Sequence, residues 1–301
     1  MGKKKRSLFL MALFTAFVLA ACGGEQASVS DDEGIKVVTS FSILGDLAEN
    51  VVGERGQVEY LVPIGEEPHE YETIPSDFQK VSDADVFYVN GFGLEEWLER
   101  LVQNVGDVPI ITVSDGITPL PISDQDGEDP HAWLDVANVI TYVENIRDDL
   151  TERDPDGAEE YAANADSFIA ELEELHTWIH TEVESIDESK RAIVISENAF
   201  KYFGEQYGFD TVGIWELNSH EEGTHSQIAA VVDTIKEREI PAVFVETTVD
   251  KRYMETVAND AGVAIAGEVY TDAVGLEGSG AETYIKMMEH NVRTFVDGLN
   301  Q

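Results

Sequence analysis

From Ile35 onward, short apolar runs alternate with stretches whose apolar positions recur every three or four residues. Short runs rich in Val and Ile predict buried strands; the three-or-four spacing predicts helices with one buried face. In the first half the strands are expected at Lys36–Thr39, Val58–Val62, Val86–Val89 and Val108–Thr112. Helices are expected at Ile43–Val52, Pro75–Ser82, Leu94–Asn104 and Val136–Asp149. In the second half strands are expected at Ala192–Ile195, Thr211–Trp215, Ala242–Val245 and Val263–Ala266. Helices are expected at Ala199–Tyr207, Ser226–Glu239, Lys251–Ala261 and Ala281–Leu299. Strand–helix alternation of this kind builds parallel sheets covered by helices. Two such sets imply an α/β fold of two lobes, each with a roughly four-stranded parallel sheet.

Between the sets, Phe168, Leu172, Leu175 and Ile179 keep a helical spacing, and Pro155 sits ahead of them as a start signal. The pattern predicts one connector helix over Asp156–Ile186, about 45 Å long at 1.5 Å per residue. It would be a stiff span rather than a hinge. The division that follows is an N-terminal lobe over 35–155, a connector over 156–187 and a C-terminal lobe over 188–301.

The first 34 residues do not fit this scheme. Lys3–Arg6 are basic, Ser7–Ala21 are uncharged and mostly apolar, and Leu19-Ala20-Ala21-Cys22-Gly23 closes the segment. That is a secretory signal over 1–21, too short to span a bilayer. Cys22 is the single cysteine in the chain. Its position after Leu-Ala-Ala resembles the bacterial lipobox, in which the thiol is acylated. Residues 22–34 then read as a flexible polar tether, and the protein is expected outside the cytoplasmic membrane, anchored by lipid (palmitate or a similar chain). One cysteine also excludes a disulfide framework and any cysteine-based metal cluster.

Charge removes further classes. There are 60 acidic and 19 basic residues, a formal charge of −41. Such a surface repels phosphate backbones, so nucleic acid is not a partner. The excess reads as a solvated, salt-adapted surface. No Walker-type GKS/GKT, GxSxG or GxGxxG pattern occurs, which removes the usual nucleotide and hydrolase readings.

Seven histidines remain to be placed. In open α/β sheets, ligands bind beyond the carboxyl ends of the strands. His69 follows the strand ending at Val62. His131 lies in Asp129-Pro130-His131, beyond the strand ending at Thr112. Glu197 comes two residues after the strand ending at Ile195. Asp272 follows the strand near Ala266. The first lobe thus offers two imidazoles and the second two carboxylates, converging only if the lobes face each other. Two imidazoles and two carboxylates suit a hard-to-borderline divalent cation. Because both imidazoles must be neutral to bind, affinity is expected to fall as pH drops through about 6.5. His176 and His180, at i and i+4 on the connector, read as solvated. His220 and His225 read as part of an acidic loop, and His290 as a surface residue of the last helix.

At these residues the chain resembles the cluster A-I metal-binding receptors, the lipoprotein component of manganese, iron and zinc ABC importers. The resemblance rests on Thr39-Ser40-Phe41-Ser42-Ile43, Pro68-His69-Glu70-Tyr71-Glu72, Asp129-Pro130-His131-Ala132-Trp133-Leu134-Asp135, Ser196-Glu197-Asn198-Ala199-Phe200 and Tyr270-Thr271-Asp272. It implies a binding protein, not an enzyme, with His69, His131, Glu197 and Asp272 at the four ligand positions. Its partners would be a membrane permease and a cytoplasmic ATPase, and the receptor itself a monomer. Zinc members commonly carry a third histidine where this chain has Glu197, and a His-rich loop where this chain has Pro121–Glu128. Both departures point to Mn(II), with Fe(II) or Zn(II) as alternatives. A zinc-specific receptor is the nearest rival, and a secreted metallohydrolase a more distant one, since catalytic sites usually keep a position open for water.

Overall fold

The computed structural model describes residues 34–102, 104–122, 127–218 and 223–301. The leader, Cys22 with nearly all of its tether, and His220 lie outside the described residues. Strand β1 (Ile35–Thr39) is central in the first sheet, between β2 (Gly56–Tyr60) and β3 (Val86–Val89), with β4 (Ile110–Thr112) outermost. Every pairing is parallel, giving the order β2-β1-β3-β4. Helices α1 (Ser42–Val52), α2 (Pro75–Ser82), α3 (Leu98–Val102) and α4 (Val136–Arg153) complete this lobe.

The second lobe differs in detail from the four-stranded sheet expected. Strands β5 (Ala192–Glu197) and β6 (Asp210–Trp215) form one parallel pair; β7 (Ala242–Glu246) and β8 (Ala264–Val269) form another. The pairs lie alongside each other through β5 and β7. Four parallel strands are present, but as two separately hydrogen-bonded ladders. Alternate residues of β5 serve two cores, as the two-residue period of a strand requires. Ile193 and Ile195 join the large core, while Ala192 and Val194 join a smaller one with Ile214, Val232, Met254 and Val257. That smaller core lies under α7 (His225–Arg238) and α8 (Arg252–Ala261).

The connector is α5 (Ala158–Val183), of 26 residues, entered through a 3-10 turn at Pro155–Gly157. At 1.5 Å per residue it spans about 39 Å. Its buried face is Tyr161, Ala165, Phe168, Leu172, Leu175, Ile179 and Val183. It packs on α1 and α4 of the first lobe, and on α6 (Lys201–Tyr207) and α9 (Tyr284–Leu299) of the second. One apolar core therefore runs through both lobes, from Val37 and Ile43 through Phe168 and Leu172 to Phe203 and Phe295. A rotation of one lobe against the other would have to break this packing, which interiors at crystal-like density resist.

Helix α3 is much shorter than the expected Leu94–Asn104. The Glu95 carboxylate accepts the main-chain N–H groups of Asn90 and Gly91 and the Ser40 hydroxyl. That holds the preceding segment as turns, so Leu94 and Trp97 are buried on turns ahead of α3 and Leu101 alone of the three lies on the helix.

Candidate metal centre

Three loop or turn segments and one strand end deliver the side chains. His69 ends the segment after β2; Trp97 Nε1–H donates to the Pro68 carbonyl at 3.0 Å, and the His69 N–H donates to Glu67 Oε1 at 3.1 Å. His131 stands on a turn held from below by Asn90, whose Nδ2 donates to the Pro130 carbonyl at 3.0 Å. Glu197 is the last residue of β5, paired with Trp215, and not two residues beyond the strand as expected. Its N–H donates to Glu246 Oε1 at 2.7 Å. Gly213 makes the adjoining turn possible, since a Cβ there would lie 2.6 Å from the Asn198 nitrogen. Asp272 follows β8, its Oδ2 accepting the Thr271 hydroxyl at 2.5 Å.

The structure brings all four together. His69 Nε2 lies 3.2 Å from His131 Nε2, 3.7 Å from Glu197 Oε1 and 3.9 Å from Asp272 Oδ1. His131 Nε2 lies 3.8 Å from Glu197 Oε1 and 3.6 Å from Asp272 Oδ1. Two donors on one ion with bonds of about 2.0–2.2 Å are at most about 4.4 Å apart, so each of these pairs fits a shared ion. Glu197 Oε2 and Asp272 Oδ1 are buried and accept no hydrogen bond among the described residues. Buried acceptors normally find a partner, and Asp272 Oδ1, orphaned beside both imidazole nitrogens, marks a cation's place.

The electrostatics describe the same need. Burial pushes the Glu197 carboxyl well above its ordinary range, and Asp272 and Glu67 push it further. Burial also raises Asp272. His69 is pulled well below its usual value, first by burial and then by His131. The expectation that both imidazoles lose their protons near 6.5 thus fails for His69, which is neutral well below that pH.

Several neighbours escaped the sequence. Asp129 Oδ1 lies 2.9 Å from His131 Nδ1. Burial raises this carboxyl, but His131 and Lys201 outweigh it and hold it below the ordinary value. An ionised carboxylate only accepts, so the proton is on Nδ1 and the Nε2 lone pair points into the site. Lys201 bridges Asp129, at 3.3 Å, and Glu216. Asn218 gives its N–H to Glu197 Oε1 and its Nδ2–H to Glu67 Oε2, both at 2.7 Å. The signal for Asp129 was its place two residues before His131; none marked Glu67 or Asn218. A cavity of about 410 Å³ opens beside His69, lined by Phe92, Glu96, Ile122, Glu128 and Leu217.

The remaining described histidines lie elsewhere. His180 is exposed, but His176 is half-buried with Nδ1 2.9 Å from the Tyr207 hydroxyl, so the connector pair is only partly solvated. His290 Nε2 lies 3.0 Å from the Glu268 carbonyl, and His225 opens α7.

Two parallel α/β lobes, a long helix packed on both and a buried cleft of nitrogen and oxygen donors define a receptor for a metal ion. Residues 37–298 match the family described as ZnuA, zinc-uptake complex component A, periplasmic, and the chain belongs to that family. The family consists of substrate-binding components of uptake systems, not enzymes. The chain is 67% identical over 299 residues to the manganese-binding lipoprotein MntA of Halalkalibacterium halodurans, covering 99% of this chain and all of the relative. It is 38% identical over 306 residues to the iron ABC transporter substrate-binding lipoprotein MtsA of Streptococcus pyogenes, covering 98% and 99%. Among solved structures, the Mn-bound periplasmic metal-binding protein of Candidatus Liberibacter asiaticus superposes with a TM-score of 0.82 at 31% identity, over 87% of this chain and 98% of that one. The periplasmic zinc-binding protein TroA of Treponema pallidum gives 0.84 at 25% identity, over 88% and 99%. Among the described residues no helix is long and apolar enough to cross a membrane.

Proposed function

We propose that this protein captures Mn(II) outside the cytoplasmic membrane and delivers it to the permease of an ABC importer driven by a cytoplasmic ATPase. His69, His131, Glu197 and Asp272 are the ligands. The observation that carries this reading is the convergence of two imidazole nitrogens with two buried carboxylates that each keep an oxygen free of hydrogen bonds. The donor set supports manganese or ferrous iron, which favour oxygen-rich, higher coordination, over zinc, which favours four tight ligands. Zinc retains the stronger intrinsic bond to such donors. The relatives named for manganese and iron support the same choice.

The working unit is a monomer tethered by a lipid on Cys22, with a first lobe over 35–155, a connector over 156–187 and a second lobe over 188–301. The core shared through α5 supports a small closure. Elemental analysis of protein purified without chelators, followed by manganese–zinc competition, tests the metal. Replacing all four ligands with alanine should abolish uptake of either ion; a variant that still binds manganese as tightly ends this reading.

A further inference from the structure

The described donors fall into two overlapping sets. His69, His131 and Asp272 offer atoms all within 4.8 Å of one another, and so do Glu67, Glu197 and Asp272. Asp272 belongs to both. Glu67 lies two residues before His69, and its Oε1 is 4.0 Å from His69 Nε2, inside the about 4.4 Å limit for two donors on one ion. Its side chain is only 16% exposed.

We infer that Glu67 is a fifth metal donor, and that it tilts the centre toward ions of higher coordination number. This rests on the four-ligand reading above and deepens it. A carboxylate oxygen has two acceptor sites, so Oε1 can keep the N–H of His69 and still reach the ion. Oε2 is held separately by Asn218. The same Asn218 holds Glu197 Oε1 through its main-chain N–H, and its own Oδ1 accepts from Trp215 Nε1 at 2.7 Å. Every polar group of that side chain is thus engaged, which fixes Glu67 and Glu197 in one frame. Glu197 Oε2 and Asp272 Oδ1 are the unpartnered oxygens of the second set. An acidic cluster without such orphans would be a solvated patch; here both orphans are buried, and Asp272 is shared with the imidazole set.

The chemistry gives Glu67 a selective role. Zinc is satisfied by two imidazoles and two carboxylates in a tetrahedron. Manganese and ferrous iron accept additional hard oxygens. A third carboxylate therefore stabilises the loaded state with these ions more than with zinc.

The test measures Mn(II) and Zn(II) dissociation constants by chelator competition on the full chain, for the parent, Glu67→Gln, Asn218→Ala and His131→Ala. Glu67→Gln keeps the shape and the acceptor for the His69 N–H. It is expected to weaken manganese by roughly tenfold or more, with zinc changed less than about threefold. Retained zinc binding in that variant itself reports an intact fold. Asn218→Ala keeps the main-chain N–H to Glu197 but frees Glu67 Oε2, so it is expected to lower the manganese-to-zinc ratio in the same direction as Glu67→Gln, by a smaller factor. The inference is overturned if Glu67→Gln weakens both ions equally or neither, or if it weakens zinc more than manganese. His131→Ala tests the underlying centre separately: both ions should be lost, and retention of both would sink the four-ligand reading whatever Glu67 does.

Discussion

The indole Nε1–H of Trp133 donates to the main-chain carbonyl of Thr271 at 2.7 Å, joining residues 138 apart. Trp133 follows His131 by two residues, and Thr271 precedes Asp272. The bond therefore runs directly behind two of the candidate ligands, from one lobe to the other. The Tyr284 hydroxyl donates back to the Trp133 carbonyl at 2.7 Å, and the Val274 N–H donates to Ser42 Oγ at 3.2 Å. The loop bearing Asp272 belongs to the second lobe by topology but is fastened to the first.

Trp133→Phe tests that fastening. The ring contacts with Phe41 and His131 are largely kept, while the Thr271 carbonyl loses its donor in a buried setting. An orphaned buried polar group costs about 1–3 kcal/mol. The metal-free protein should melt several degrees lower, and manganese affinity should fall because Asp272 is less well placed. Thermal melts with and without manganese check both; an unchanged affinity would mean that the loop is held by other contacts.

Asp129→Asn should weaken metal binding by about 10–100-fold, the usual cost of losing an outer carboxylate that orients a ligating histidine. The substitution removes the charge that fixes the Nδ1 proton of His131, and it leaves Lys201 with Glu216 alone. Isothermal titration gives the affinity. A loss below threefold would show that the ring is oriented by packing against Trp133 instead.

The legible and the hidden parts of the centre differ for a physical reason. His69, His131 and Asp272 follow strand ends and Glu197 closes β5, where the topology of parallel sheets places the carboxyl ends of one lobe opposite those of the other. Their gathering follows from the alternation of strands and helices. Glu67 stands in a segment with Glu66, Glu70 and Glu72, in a chain with 60 acidic residues, and spacing along a loop carries no direction. Asn218 works through a main-chain N–H as much as through its side chain, which composition does not encode. The same limit explains α3, where a buried carboxylate captured main-chain N–H groups and converted an apparent helix into turns. The connector was legible because seven apolar residues on one face are enough to fix a long amphipathic helix.

Glu197→His should shift selectivity toward zinc. It replaces the carboxylate oxygen nearest His69 Nε2 with a third nitrogen and removes one negative charge, softening the set. The zinc-to-manganese affinity ratio should rise by roughly tenfold or more, about 1.4 kcal/mol in relative binding. Competition dialysis with both ions measures it. An unchanged ratio would remove this position from the determinants of selectivity.

Asp46 gives a pH prediction away from the cleft. It lies on α1 and accepts the Tyr284 N–H at 2.9 Å, at the start of α9. Burial is the main cause that raises its carboxyl from 3.8 to about 6. The folded state therefore holds its proton more tightly than the unfolded state. That contribution is fully present below the unfolded value and is lost as pH rises through about 6. At pH 8 the wild-type protein carries a buried, costly carboxylate there. Asp46→Asn keeps an oxygen for the Tyr284 N–H and removes the charge. It should stabilise the metal-free protein at pH 8 by on the order of 1–3 kcal/mol, with the gain vanishing near pH 4. Urea melts at the two pH values measure the difference; an equal gain at both would assign the effect to packing rather than to the proton.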